Sequence, residues 1–119
     1  MRGAPGPLRG QVFHVDAEGA GPHYWVVVSN NQRNARLNDV LVVQVTSTPP
    51  RSPRDSYVPL ARGADSVEGW VKCDGIGPVL RDRLGSVKGA LSPASMRRID
   101  IGLAFALGLR GPAAAGRPG

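Results

Sequence analysis

Short apolar runs separated by turn-forming residues make up most of the chain. β-Branched and aromatic side chains are concentrated in residues 11–16, 24–29 and 40–45, and these three segments are predicted to be strands. The second and third runs are almost unbroken, which is typical of strands that are buried on both faces. Weaker segments at 56–60 and 67–73 are predicted to be the fourth and fifth strands. The fourth should lie at a sheet edge because it contains a proline.

The connections between these strands are rich in glycine, proline and polar residues. Residues 17–22 and 48–54 are predicted to be loops, the second because its prolines cannot pair in a ladder. Residues 75–78 contain two glycines and a proline and should end the fifth strand. A helical turn at 79–84 and a last short strand at 85–88 are expected to follow.

Two helical segments are predicted, a single turn within residues 30–38 and a longer helix at 93–107. Ser92 suits the N-cap of the long helix, Pro93 suits its first position, and Gly108 should end it. Its apolar residues form one face at helical spacing, but its second half is apolar nearly all round. Such a helix should be buried on two sides, against its own sheet and against a partner chain.

The length and composition favour a single domain, mainly β with one C-terminal helix. Residues 1–7 and 110–119 are rich in glycine and proline, so they are expected to be a flexible arm and a disordered tail around a folded unit at 8–109. No apolar run approaches the roughly 18 residues that could span a membrane. Cys73 is the single cysteine, which excludes an intrachain disulfide and agrees with a cytoplasmic location. It should be a small buried hydrophobic residue.

The chain is strongly basic, with a net charge of +6 and a pI near 10.7. Nucleic acid, an anionic surface or an acidic protein could each complement this charge. Arg51 and Arg54 lie in the proline-rich loop, which is either a stiff solvated connection or a basic arm over a polyanion. One cysteine and two separated histidines give no pair with metal-ligand spacing, so neither a metal site nor a cofactor is predicted.

Polar side chains flank the two central strands. His23 precedes the second strand, where a loop would hold it at the rim of the sheet, and histidine can exchange a proton near neutral pH. Thr46 and Ser47 end the third strand. Tyr24 is the candidate for stacking on a nucleobase, whereas Trp25 is predicted to be core. The plainer alternative is that His23 is an exposed turn residue and the hydroxyls are ordinary strand ends.

The order of these segments resembles the MazF/PemK family of toxins, and most closely its actinobacterial branch. The resemblance covers residues 8–109 and rests on Leu8-Arg9-Gly10-Gln11-Val12, the run from Trp25 to Asn34 with its Ser-Asn-Asn-Gln-Arg-Asn sequence, the Val-Thr-Ser strand end, Lys72-Cys73-Asp74, Arg83-Leu84-Gly85 and the capped helix. It implies an SH3-like antiparallel barrel of the CcdB/PemK/MazF kind, assembled as a homodimer. It also implies a metal-independent, sequence-specific endoribonuclease that cuts single-stranded RNA. In such enzymes the 2′-hydroxyl attacks the phosphate to leave a 2′,3′-cyclic phosphate, and a MazE-type antitoxin inhibits them.

The resemblance also implies roles for individual residues. Thr46 falls on the family's catalytic threonine, which hydrogen-bonds the scissile phosphate, and His23 falls on its catalytic arginine. A neutral histidine cannot supply the permanent cation that stabilises charge on the phosphate. Three outcomes are open: His23 changes the chemistry, another cation such as Arg9 or Arg51 substitutes, or activity is weak. The residues expected to contact RNA are Tyr24, Asn34, Ser47, Arg51, Arg54 and Asp74.

Two other functions are compatible with the same barrel. A non-enzymatic binder similar to the gyrase-poisoning toxins would need an exposed helix end, and the Gly/Pro/Ala-rich tail argues mildly against it. A catalytically silent RNA-binding barrel would keep the basic surface without the arginine.

Overall fold

Six antiparallel strands form one curled sheet, and a long helix packs against it. The computed structural model describes residues 6–17 and 21–109. The elements are β1 (Gln11–Ala17), β2 (Gly21–Val27), α1 (Asn31–Arg36), β3 (Asp39–Thr46), β4 (Tyr57–Pro59), β5 (Trp70–Leu80), a 3-10 turn (Arg81–Arg83), β6 (Val87–Ala90) and α2 (Pro93–Leu107). The strand order is β4-β5-β3-β2-β1-β6. The predicted mainly β fold with one long C-terminal helix is therefore confirmed.

The two central strands bury side chains on both faces of the sheet. On one face, valines of β2 and β3 form the main core with Met96 and Ile99 of α2. On the other face, Val27, Val40 and Val42 form a second cluster, against which Phe13 and Trp25 pack. The prediction of burial on both faces is confirmed, and Trp25 belongs to the core as expected. The second cluster occupies part of its face, and the remainder carries the polar side chains described below.

Helix α2 begins and ends where the sequence predicts. The Ser92 hydroxyl accepts a hydrogen bond of 3.1 Å from the Ser95 backbone N–H. Gly108 adopts the left-handed conformation, with φ of 73°, that allows its N–H to bond back to the last turn. At mid-helix, Gly102 lets α2 approach the sheet closely, since a Cβ atom there would lie 2.9 Å from the Cys73 sulfur.

Cys73 lies fully buried under this helix. Burial, together with the nearby charge of Asp74, raises the pKa of its thiol to about 11. The prediction that Cys73 is a small buried hydrophobic residue is confirmed, and the thiol is unreactive near neutral pH.

Asp65 joins the loop before β5 to the start of α2. Its carboxylate accepts hydrogen bonds from the backbone N–H groups of Ala61 (2.6 Å) and Ser92 (2.7 Å) and from the Ser95 hydroxyl (2.7 Å). Burial raises the pKa of Asp65, but these hydrogen bonds outweigh burial and hold the pKa below its usual range. The ionised carboxylate also lies at the positive end of the α2 dipole.

The fifth strand continues past the glycine- and proline-containing segment 75–78, so the predicted strand end there is wrong. The β3–β5 ladder has a large bulge, in which Val43 alone faces residues 73–76 before pairing resumes at Gly77. Pro78 is tolerated because β4 pairs only with the first part of β5, so no strand among the described residues pairs with the outer edge of its second half.

The N-terminal segment packs against α1. Gly6, which the sequence placed in the flexible arm, is buried, and a Cβ atom on it would lie 2.2 Å from the Asn34 carbonyl oxygen. Pro7 is half-buried, while residues 1–5 of the expected arm and the expected tail, residues 110–119, lie outside the described residues. Within the described part, no helix is long and apolar enough to cross a membrane.

Candidate active site

His23 lies inside strand β2, opposite Val15 of β1. The expectation that a loop carries His23 is wrong, because the β1–β2 ladder extends past it to Ala17 and Gly21. Pro22 fits this position since β2 is no longer paired with β3 there; the β2–β3 ladder ends at Tyr24. A regular strand, rather than a loop, therefore positions the His23 side chain.

The side chain of Gln44 holds the His23 ring. Its amide Nε2 lies 3.0 Å from the Nδ1 of His23. Gln44 is directly opposite Trp25 across β2 and β3, and Trp25 is two residues from His23. Because side chains alternate along a strand, all three project from the same face of the sheet.

Thr46 completes the end of this face. The paired residues Tyr24 and Val45 are the last of the β2–β3 ladder, and the next step places Thr46 opposite His23. The Thr46 hydroxyl oxygen accepts a hydrogen bond of 3.1 Å from the Thr48 backbone N–H, which leaves its O–H free to donate. The sequence prediction that a histidine and a threonine meet at the end of the central strands therefore agrees with the strand register.

Cationic and aromatic groups extend the same face across β5 and β4. Lys72 of β5 is opposite Gln44, and Tyr57 of β4 is opposite Lys72. Trp70 is opposite Thr46, and the guanidinium of Arg54 lies 5.5 Å from the centre of the Tyr57 ring. We call this surface the site face; it consists of His23, Trp25, Gln44, Thr46, Arg54, Tyr57, Trp70 and Lys72.

Tyr24 projects from the opposite face. It packs against the main core, and its ring meets the His14 ring edge-on at 5.7 Å between centroids. Its predicted role in stacking on a base next to His23 is therefore wrong, since adjacent residues of a strand point to opposite sides. The aromatic residues that share the face of His23 with Trp25 are Tyr57 and Trp70.

Asn34 is fully buried and holds α1 to the sheet. Its side-chain amide donates to the Ser29 carbonyl at 3.0 Å, and its oxygen accepts from the Ser29 hydroxyl. That hydroxyl oxygen in turn accepts a hydrogen bond of 3.0 Å from the Leu41 backbone N–H. The predicted contact of Asn34 with RNA is wrong because its polar atoms are already paired inside the protein.

Arg9 is bound to a different part of the molecule. Its Nε donates to the Val28 carbonyl at 2.9 Å, and its guanidinium forms an ion pair with Asp100 of α2. Arg9 therefore links the end of β2 to helix α2. The guanidinium of Arg9 is thus engaged by Val28 and Asp100.

The other predicted RNA contacts, Ser47, Arg51 and Asp74, are exposed. Ser47 follows Thr46 and lines a depression of about 280 Å³ that Trp70 also lines. Arg51 is exposed in the proline-rich loop, and Asp74 is exposed in the bulge, where its carboxylate accepts a 2.7 Å hydrogen bond from the Ser56 hydroxyl. All three side chains are exposed to solvent.

Sequence reasoning missed Gln44, Lys72, Tyr57 and Trp70. Gln44 carried a usable signal, because it is the polar interruption of an apolar strand and lies two residues from Thr46, on the same side. The other three residues reach the site face through the register of β5, which the bulge changes by several residues. The pattern of residues along the chain does not predict how β5 is aligned with β3.

The profile of the PemK-like, MazF-like toxins of type II toxin–antitoxin systems matches residues 8–107. The chain belongs to the PemK/MazF family. The endoribonuclease MazF1 of Mycobacterium bovis is 41% identical over 106 residues, which cover 89% of this chain and 97% of that protein. The endoribonuclease MazF4 of Mycobacterium tuberculosis has the same identity and coverage.

Solved structures of PemK/MazF proteins share the fold. A mycobacterial endoribonuclease in complex with its cognate antitoxin superimposes with a TM-score of 0.80 at 40% identity, covering 89% of this chain and 99% of that chain. MazF in a MazE–MazF complex from Deinococcus radiodurans gives a TM-score of 0.75 at 19% identity, covering 90% and 100%, and shows the likeness of fold alone. The resemblance inferred from the sequence, including its barrel fold, is confirmed.

Proposed function

We propose that this endoribonuclease toxin cleaves single-stranded RNA on the site face, with His23 and Thr46 at the scissile phosphate. The observation that carries the proposal is the contact of His23 with Gln44 of β3, which puts His23 on the face from which Thr46, two residues after Gln44, also projects. Ordered strands fix both residues, so their donors can be in place before the substrate binds.

The proposed reaction is an internal transesterification that needs no metal ion. The 2′-oxygen forms a bond to phosphorus and loses its proton to solvent, while the bond between phosphorus and the 5′-oxygen breaks. The 5′-oxygen takes up a proton, and the products are a 2′,3′-cyclic phosphate and a 5′-hydroxyl end. Negative charge accumulates on the phosphate oxygens as the new bond forms, and hydrogen-bond donors that meet those oxygens lower the barrier.

Lys72 is the best-placed permanent cation for this phosphate. It lies opposite Gln44 on the site face, one strand away from the residue that holds His23. Arg9 is committed to Asp100, and Arg54 is stacked on Tyr57 at the far edge of the face. An ammonium beside the bound phosphate would supply the charge that neutral histidine lacks.

The aromatic and basic residues around this centre are suited to hold the RNA strand. Tyr57 and Trp70 offer ring faces on which unpaired bases can stack, and Arg51 and Arg54 offer guanidinium groups to the phosphates. Ser47 and Asp74 are the exposed groups that can accept or donate hydrogen bonds at base edges. Recognition of a particular RNA sequence would depend on these contacts.

The toxin is proposed to act in the cytoplasm as a homodimer under the control of a MazE-type antitoxin. Helix α2 carries an exposed apolar pair, since Ile101 and Phe105 lie one turn apart and are 67% and 60% exposed among the described residues. An exposed pair of this kind favours burial in an assembly. The related structure bound to its cognate antitoxin supports the control by a second protein.

One experiment separates this function from its alternatives. Purified protein is incubated with a mixed single-stranded RNA in excess EDTA, and the cut ends are mapped. Discrete cuts with cyclic-phosphate and 5′-hydroxyl ends are expected. Cleavage that requires added magnesium would overturn the metal-independent mechanism. Binding without cleavage would indicate a silent RNA-binding barrel, and the absence of any effect on RNA would favour a gyrase-type binder.

A further inference from the structure

We propose that the depression next to Thr46 is a subsite for one unpaired base of the RNA, and that Arg62 and Glu68 select that base. The depression has a volume of about 280 Å³, and Ser47, Arg62, Glu68 and Trp70 are among the residues that line it. We call it the Trp70 depression. The inference rests on the proposed function for the identity of the ligand, and it adds the place where one base is recognised.

The Trp70 depression lies directly beside the proposed position of the scissile phosphate. Trp70 is opposite Thr46 across β5 and β3, and Ser47 follows Thr46 along the chain. Gly69 also lines the depression, and its backbone is packed against the Thr46 carbonyl group. Opposite residues of neighbouring strands lie about 5 Å apart. An RNA strand whose phosphate meets Thr46 therefore carries a neighbouring base to this depression.

The size and the walls of the depression suit a single planar base. Clefts that bind drug-sized ligands have volumes of roughly 300–1,000 Å³, so this depression is at the small end of the range. Half-buried Trp70 supplies an aromatic wall on which a base can stack. Pro59, which is opposite Trp70, and Leu60 add apolar surface, whereas Ser47 adds a hydroxyl group. Apolar walls with polar groups at the edge match the faces and the edge of a base.

Arg62 and Glu68 place opposite charges side by side at the edge of the depression. The Arg62 Nε lies 3.4 Å from the Glu68 Oε2, and the two side chains are 85% and 67% exposed. Such an exposed ion pair contributes little to folding, so it can open to admit a ligand. A guanidinium group only donates hydrogen bonds and a carboxylate only accepts them. The pair can therefore bind the acceptors and donors that lie next to each other on the edge of an unpaired base.

The backbone that carries this pair is fixed by hydrogen bonds. The Asp65 carboxylate accepts a 2.6 Å hydrogen bond from the Ala61 N–H and so closes the turn that contains Arg62. The Leu60 N–H donates to the Gly69 carbonyl at 2.9 Å, directly after Glu68. Both charged side chains thus start from anchored positions, and their long side chains can adjust to the bound base.

The lining residues divide the work of recognition. Stacking on an aromatic ring tolerates any base, because every base has a π-face. Trp70 should therefore contribute affinity for all RNA sequences. Hydrogen bonds to the edge distinguish one base from another, so Arg62 and Glu68 should determine the preference at a single position beside the cut.

Mapping the cut ends of a randomised single-stranded RNA tests the charged pair. Glu68→Gln and Arg62→Gln should each change the base preference at one position next to the cut by about fivefold or more, the lower end for a lost base-specific contact. Asp82→Asn and Arg83→Gln remove exposed charges of the same signs elsewhere and should leave the preference unchanged. A preference that stays at the wild-type value in both Glu68→Gln and Arg62→Gln would overturn the proposal.

Binding of a DNA oligonucleotide tests Trp70 without cleavage, because DNA lacks the 2′-hydroxyl that attacks the phosphate. Trp70→Leu should weaken binding by about fivefold or more, whereas Trp70→Phe keeps an aromatic ring and should retain most of the affinity. Equal affinities of the wild type and Trp70→Leu would show that no base stacks there. Equal losses in the two variants would show that Trp70 acts only through the fold.

The two assays also separate this inference from the proposed function. If the oligonucleotide binds through Trp70 but the wild type does not cut RNA, the subsite holds and the proposed function fails. If the wild type cuts RNA but the variants leave affinity and base preference unchanged, the proposed function holds and the subsite fails.

Discussion

Gly69 lies so close to Thr46 that a Cβ atom on Gly69 would be 2.3 Å from the Thr46 carbonyl oxygen. The backbone of Gly69 also has a φ of 123°, which side-chain-bearing residues rarely adopt. Gly69 immediately precedes β5, and β5 pairs with the end of β3 at Thr46. The position of a proposed catalytic residue therefore depends on the absence of a side chain at the residue that precedes the neighbouring strand.

Gly69→Ala is expected to move Thr46 and to lower both stability and cleavage. Strain and steric overlap together should cost at least about 2 kcal/mol in the free energy of unfolding, measured by urea denaturation. Gly63→Ala is the matched control, because Gly63 also has a positive φ, of 86°, but has nothing within 4 Å of its would-be Cβ. The control should lose about 1 kcal/mol and keep its cleavage rate. Equal behaviour of the two variants would refute the link to Thr46.

His23→Ala is expected to lower cleavage by more than about tenfold and to leave the dimer intact, because the ring contributes to the reaction and not to the core. The rate can be measured on a defined RNA and the mass of the assembly by light scattering. His14→Ala provides the comparison, since the His14 ring lies against Tyr24 on the other face. Wild-type cleavage by His23→Ala would remove this residue from the mechanism.

Lys72→Met should weaken cleavage by about tenfold or more, because it removes the proposed cation beside the phosphate. It should also reduce the salt dependence of RNA binding, because a protein that makes fewer phosphate contacts releases fewer counterions when it binds. Lys88→Met is the control, as Lys88 is exposed on β6 at the opposite edge of the sheet. Binding by the wild type that does not change with salt would argue against a phosphate-dominated interface.

Asp65→Asn is expected to destabilise the protein by about 1–3 kcal/mol at neutral pH, because charged hydrogen bonds to the start of α2 are lost. The folded protein holds the pKa of Asp65 below its usual value, so the carboxylate stabilises the fold above the unfolded pKa of about 3.9. That contribution disappears as the pH falls through the lower, folded pKa. The gap between variant and wild type should therefore narrow in acid.

Urea denaturation at neutral and acidic pH measures this gap. Asp82→Asn changes an exposed carboxylate away from α2 and should leave the free energy of unfolding nearly unchanged. A difference for Asp65→Asn that stays constant down to acidic pH would show that the charge of the carboxylate is not the source of its effect.

Local signals were enough to predict most elements of the fold. The apolar runs of β2 and β3 and the Ser92 and Gly108 caps of α2 depend on neighbouring residues along the chain, and each was correctly assigned. The segment after Cys73 was not, because a strand can continue through glycine and proline where it has a bulge and a free edge. That information lies in the pairing of strands and not in the segment itself.

The site was predicted in part for the same reason. Thr46 follows an apolar run and is itself followed by polar residues, so its position at a strand end could be predicted from the sequence. Tyr24 and Trp25 lie in one apolar run, and because the sequence placed His23 in a loop, the alternation of side chains along the strand was not extended to it. The buried Asn34 looked like a surface residue, because nothing in its sequence shows that Ser29 satisfies its amide.

The bulge opposite Val43 also bears on how such a toxin can change over evolutionary time. It separates the part of β5 that carries Lys72 from the part that pairs with the start of β3. Residues can therefore be inserted, deleted or exchanged between Cys73 and Gly77 while Lys72 stays opposite Gln44. Asp74, a predicted RNA contact, lies in this stretch, so under the proposed function the preference for an RNA sequence could diverge while Lys72 and Gln44 stay paired.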